Sequence, residues 1–380
     1  MPQQRPSDDS PGTAPPPRRR LHYVDNLRVA LTVLVVLHHA AVTYSHIPVW
    51  YYLETPQDAS AGLLDVFVIL NQTYFMGLFF LLAGFFVPAS ADRRGVAGHV
   101  RERLVRLGVP FLLFVVLLRP LLVLPGHEEG PLWLYLVLSY DPGPMWFVEV
   151  LLLFTLVHAA VRAVRGRRRA PAAVERPADG EPLRWLWPVV AFTVALGVVT
   201  FLWRWAFPAP YWPVVGLPSP GYVPQYAALF AVGAVAFRRN WAARLPGSAG
   251  WYGMATALAA LAGYGSLLVL TGGQMADPGS VAVMAAIVLE MFLAVGAVLA
   301  LVVFFRRFVD GGGPLARFLS DNAFAVYVLH PLVLVAGGLA LAGWEAPAVA
   351  KFAVLGVLAV PCCWALAWAV RALPAVRRVL

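Results

Sequence analysis

Two ionisable residues interrupt the first apolar run of this chain, Arg28 near its start and His39 near its end. A cation or an imidazole inside a stretch long enough to cross a bilayer costs free energy unless a partner or a watery cavity receives it. Eleven helical positions at about 100° each bring His39 back to nearly the face that carries Arg28, ~16 Å farther along the axis. The adjacent His38 is turned ~100° away. The pair predicts a site that reaches from one membrane surface to mid-bilayer. A neutral imidazole can take a hydroxyl proton near neutral pH, so general-base catalysis is the chemistry expected of His39. A hydrogen-bonded packing role is the alternative. The spacings of histidine, cysteine and carboxylates match no recognised metal motif, so no metal is expected.

Other polar residues extend this site. Asp25, three positions before Arg28, is expected either to cap the first span or to pair with an arginine and position it. Arg103 and Arg106 lie just before the third apolar stretch, on one face of a helix if the helix continues there. Paired guanidiniums in such a place can hold a phosphorylated cofactor, although ordinary anchoring of basic residues at a membrane edge is the plainer reading. Asn71, Gln72, Thr73 and Tyr74 either line a cavity or bond between helices. Glu149 sits inside the fourth span and needs a partner or water. Tyr327 and His330, three apart, share a face of the ninth span as interhelical glue or as cavity lining.

The elements that must position these residues are membrane spans. Of the 380 residues 60% are apolar and 13% charged, which excludes an ordinary soluble domain. Ten apolar stretches have the length a bilayer requires: 27–45, 65–88, 107–124, 145–164, 185–207, 222–238, 251–271, 281–305, 322–342 and 348–370. The piece 131–139 is too short to cross and reads as interfacial or re-entrant. Of the 29 basic residues, 25 fall in alternate connections or tails, on one side of that arrangement. Arg28 lies at the edge of the same side, and only Arg119, Arg204 and Lys351 lie toward the other. The positive-inside rule therefore puts both termini in the cytoplasm of a multi-pass protein, expected in the cell's inner membrane. The net charge of +9 reflects this orientation and implies no nucleic-acid partner.

The fold class expected is an all-α bundle of about ten transmembrane helices. Residues 1–20 read as a disordered cytoplasmic tail, 21–371 as the membrane domain and 372–380 as a second cytoplasmic tail. A flexible cytoplasmic linker at about 165–184 divides the bundle four plus six. No internal repeat and no attached soluble catalytic domain is evident.

In this setting the chain resembles the acyltransferase-3 family of integral membrane acyltransferases. The resemblance runs from Leu21 to about Val370. Its pieces are Val24-Asp25-Asn26-Leu27-Arg28 with ten residues before His39, Phe79-Phe80-Leu81-Leu82-Ala83-Gly84-Phe85, Arg103-x-x-Arg106-Leu107-Gly108-Val109-Pro110, Met145-Trp146-Phe147 and Tyr327-Val328-Leu329-His330-Pro331. Their order and spacing carry the match, and the phenylalanine-rich piece and Trp146-Phe147 look most like the branch that includes glucan succinyltransferases. The resemblance implies transfer of an acetyl, succinyl or similar group from cytoplasmic acyl-CoA to a hydroxyl of a glycan, lipid or macrolide-like acceptor. It implies a catalytic role for His39 and donor-linked roles for Arg28, Arg103 and Arg106. No permanently bound cofactor is implied; acyl-CoA is a co-substrate.

Two features depart from the family pattern. Many members carry an acid five residues after the tryptophan of the fourth span, whereas Glu149 follows Trp146 by three. The appended extracytoplasmic hydrolase-like domain of some members is missing, so the acceptor is expected to be acylated by the bundle itself. The rival reading is a transporter or flippase for a lipid-linked or amphipathic substrate, with Arg28, His39 and Glu149 forming a polar path. The missing repeats and broken-helix pairs count against it, and a structural scaffold would need no ionisable groups at such depths.

Overall fold

The computed structural model describes residues 20–127, 129–166, 184–207, 220–272, 277–377 and 379–380. The expected tail 1–20, apart from Arg20, and the expected linker 165–184, apart from its ends, lie outside the described residues. All regular structure among the described residues is helical: α1 (His22–Tyr44), α2 (Ala61–Arg103), α3 (residues 104–126, alternating α- and π-helical turns), α4 (Leu132–Leu138), α5 (Trp146–Gly166), α6 (Leu186–Ala206), α7 (Val223–Arg238), α8 (Ser248–Leu270), α9 (Val281–Phe308), α10 (Pro314–Ala340) and α11 (Ala348–Arg371). Single turns at Gly143–Met145, Pro220–Tyr222, Trp241–Arg244 and Pro374–Arg377 complete them.

Eight helical segments among the described residues are long and apolar enough to cross a membrane. One of them, Ala61–Gly126, takes in both stretches expected at 65–88 and 107–124. The arginine-rich connection expected between them is itself helical, and the break is confined to Gly95, whose φ of 70° and ψ of 173° lie outside helical space. Nothing crowds a Cβ at Gly95, so the backbone conformation alone calls for glycine there. The stretch expected at 222–238 forms α7, which at 16 residues is shorter than an ordinary span.

The bundle is built around α1 and α10. In each, 61% of the most apolar stretch is buried within the protein, against 17% in α8. Helix α1 packs on α2, α9, α10 and α11, so its polar residues meet protein on most sides. Helices α2 and α7 approach closely through two glycines. A Cβ on Gly84 would overlap the Phe230 carbonyl, and one on Gly233 would overlap that of Leu81. Small residues let two backbones touch in a setting where apolar burial alone does not drive helices together.

The short segment 131–139 forms α4, and a buried cation anchors it. Arg119 is 2% exposed. It donates to the carbonyls of Asp141 at 2.9 Å and Leu136 at 3.1 Å, and to that of Ser139. These include carbonyls at the C-terminal end of α4 that have no partner within the helix. Arg119 therefore reads as a structural residue in the second half of α3.

Candidate active site

His39 lies in the last third of α1, where that helix meets α10. Its Nδ1 is 3.1 Å from Nε2 of His330. The other nitrogen of His330, Nδ1, is 2.7 Å from the Tyr327 carbonyl one turn earlier in α10. His330 is fully buried. The two imidazoles lie nearly parallel, with centroids 5.1 Å apart. On its other face His39 stacks on Trp50, with centroids 4.1 Å apart and planes 13° from parallel. Trp50 belongs to the connection 45–60. That connection is fastened by the Glu54 amide to the Thr43 carbonyl, by Asp58 and Ser60 to the first amides of α11, and by the Glu54–Lys351 ion pair. The strap brings an aromatic ring to the catalytic candidate and holds it there.

A small recess of about 30 Å³ opens beside this centre. His38, His39, Gln72, Met76, Trp146 and Tyr327 are among its lining residues. His38 thus borders the same space as His39, although it points ~100° away around the helix. Asn71 Nδ2 lies 3.2 Å from His38 Nδ1, and Gln72 Nε2 donates to the Tyr226 hydroxyl at 3.1 Å. The polar cluster of α2 therefore both lines the recess and bonds between helices. The Tyr327 hydroxyl donates to the Pro144 carbonyl, which joins α10 to the turn before α5. Trp146 and Tyr226 pack against each other 5.5 Å apart behind Gln72.

Arg28 occupies the start of α1. Its guanidinium donates to the Ser320 hydroxyl at 2.9 Å and lies 3.3 Å from Asp25. Asp25 also accepts from Arg20 at 2.6 Å, and no side chain caps α1. Asp25 is therefore an ion-pair partner of Arg20 and Arg28 and does not cap the helix. Asn26 donates to the carbonyls of Val309 and Gly311, which fixes the base of α1 against the end of α9.

Arg103 and Arg106 gather around a different acid. Glu102 pairs with Arg94 and lies 3.8 Å from Arg106. Nε of Arg103 is buried without a partner among the described residues. Arg106, in the first π-helical turn of α3, is 66% exposed. The two are therefore unequal, one turned into the protein and the other into open space. No hydrogen bond or ion pair among the described residues joins Arg28 to either of them.

The Oε2 of Glu149 is buried with no hydrogen-bond partner among the described residues. His46 Nδ1 lies 2.7 Å from the Asp65 carboxylate. Two further features lie outside the residues expected at the site. Trp50 is one aromatic among 13 tryptophans in the chain. Arg204 and Glu290 form a bidentate pair at 2.6 and 2.9 Å, with side chains only 12% and 13% exposed. Opposite charges in two apolar runs were the available clue, since a membrane acid needs a partner. Arg204 also lies over the Tyr222 ring at 4.8 Å, and Tyr222 stacks toward Tyr226. The pair thereby supports the aromatic wall behind the recess.

No curated protein and no solved structure matches this chain. A family model described as an acyltransferase domain matches residues 21–368, from the residue before α1 to near the end of α11. With an all-helical membrane bundle enclosing a polar recess, that match means that the chain belongs to the acyltransferase-3 family of membrane acyltransferases.

Proposed function

We propose that this membrane acyltransferase moves an acetyl, succinyl or similar group from cytoplasmic acyl-CoA to a hydroxyl of a carbohydrate, lipid or natural-product acceptor. The enzyme works in the inner membrane with both termini in the cytoplasm. The observation that supports this reading is the recess beside His39, bordered by hydrogen-bonding side chains and otherwise enclosed by apolar helices. In such a site His39 takes the proton of the acceptor hydroxyl. The hydroxyl oxygen forms a bond to the thioester carbonyl carbon. The carbon–sulfur bond then breaks, and the departing thiolate recovers the proton from His39. An ester and free CoA result, and the histidine returns to its starting state.

The donor's phosphates bind at the cytoplasmic arginines. Arg103 and Arg106 supply cationic N–H donors suited to phosphate oxygens. Arg28 supplies another at the base of α1, in line with the ~16 Å rise to His39. The pantetheine arm spans that rise and delivers the thioester to the recess. Trp50 shields the imidazole from the outer side, and its ring face favours the imidazolium formed during transfer.

The test is release of free thiol from acyl-CoA by the purified protein in lipid nanodiscs, with product ester followed by mass spectrometry. The expected result is acceptor-dependent thiol release that His39→Ala abolishes. Full activity in that variant overturns the mechanism. Movement of an amphipathic substrate without acyl-CoA would favour transport instead.

A further inference from the structure

The proton logic of the two histidines leads further. The Tyr327 carbonyl can only accept a hydrogen bond, so the nitrogen 2.7 Å from it, Nδ1 of His330, carries a proton. An amide partner would have left the assignment open to a flip, but a backbone carbonyl does not. In the neutral ring Nε2 of His330 is then an acceptor. It lies 3.1 Å from Nδ1 of His39, which must therefore be the donor. A proton on Nδ1 leaves Nε2 of His39 as the unprotonated nitrogen.

We infer that His330 is a positioning residue that holds His39 in the Nδ1–H tautomer, so that Nε2 is the atom that removes the acceptor's proton. The inference rests on the general-base reading of His39 given above. His330 does the work that a carboxylate performs in many histidine-based sites, without bringing a charge into mid-membrane. When Nε2 takes the hydroxyl proton, the Nδ1–H stays in place and its bond to His330 strengthens as the ring becomes cationic. The same proton leaves Nε2 with the thiolate of CoA, and the Nδ1–H···Nε2 bond persists through the cycle. The Tyr327 carbonyl is part of α10, so the orientation of both rings is set by helix backbone. Pro331 follows His330 directly and itself offers no backbone N–H.

Two substitutions separate this role from simple packing. His330→Phe keeps a flat ring but removes the acceptor. His330→Gln restores a distal oxygen that can accept from Nδ1 of His39. The expected result for His330→Phe is a fall in kcat of roughly 10²-fold, with KM for acyl-CoA unchanged, because donor binding lies at the cytoplasmic end. His330→Gln should recover most of that loss. Nitrogen-15 spectra of histidine-labelled wild-type protein in nanodiscs supply an independent readout. His39, assigned by its missing signals in His39→Ala, should show a proton on Nδ1 and none on Nε2. A wild-type spectrum with the proton on Nε2 overturns the inference, as does wild-type kcat in His330→Phe. Full activity in His39→Ala defeats the general-base reading itself, while the spectrum still tests the tautomer assignment in that case.

Discussion

The histidine centre and the arginine rim are two polar regions of one membrane bundle, built on opposite principles. At the centre every partner is held by helix backbone or by a fastened strap. His39 meets His330, His330 meets a carbonyl of its own helix, and Trp50 closes the outer face. At the rim Arg106 is two-thirds exposed, Arg103 has a buried nitrogen without a partner among the described residues, and Glu102 is shared between cations. Chemistry needs one geometry, because a proton transfers only over a short and aligned distance. Docking a multiply charged donor needs cationic groups that can move to meet it. On the proposed reading, burial and satisfaction mark the reacting end of the site, and exposure marks the receiving end.

Substitutions at the two regions should therefore fail in different ways. His39→Ala is expected to lower kcat by at least about 10³-fold, measured as thiol release at saturating acyl-CoA. Arg103→Ala should raise KM for acyl-CoA by about 10- to 10²-fold through the loss of a charge-assisted contact, with a smaller change in kcat. An equal fall in kcat would move Arg103 from the rim to the reacting end. Trp50→Ala should lower kcat by about tenfold, because the imidazolium loses an aromatic face. A KM effect alone would make the ring part of a substrate pocket. Arg106→Ala should raise KM only a few-fold, since an exposed charge is screened. Raising ionic strength should weaken donor binding in the wild type, and less so in the Arg106→Ala variant. A salt response unchanged by that variant would remove Arg106 from the donor site.

The membrane character of the chain was legible because it depends on local quantities. A run of apolar residues declares a span by its length. Arg28 and His39 stood out for the same reason, as costly side chains in a greasy helix. The close approach of α2 and α7 is a matter of the fold, with Gly84 facing the backbone of α7 and Gly233 that of α2. The helical arginine segment between the second and third stretches was less legible. A polar sequence reads as a loop, yet here the helix runs on through it and breaks only at Gly95.

What the sequence determined by itself is an all-helical membrane protein, with its family, and the polar residues that need an explanation. Which of those residues meet was decided only in three dimensions. His39 and His330 are 291 positions apart, and Arg204 and Glu290 are 86 apart. No periodicity within one helix specifies a partner on another, because side-chain packing chooses which faces touch. Trp50 shows the limit most plainly. It reaches His39 because Glu54, Asp58 and Ser60 fasten its connection to α1 and α11, and those hydrogen bonds exist only once the helices stand together.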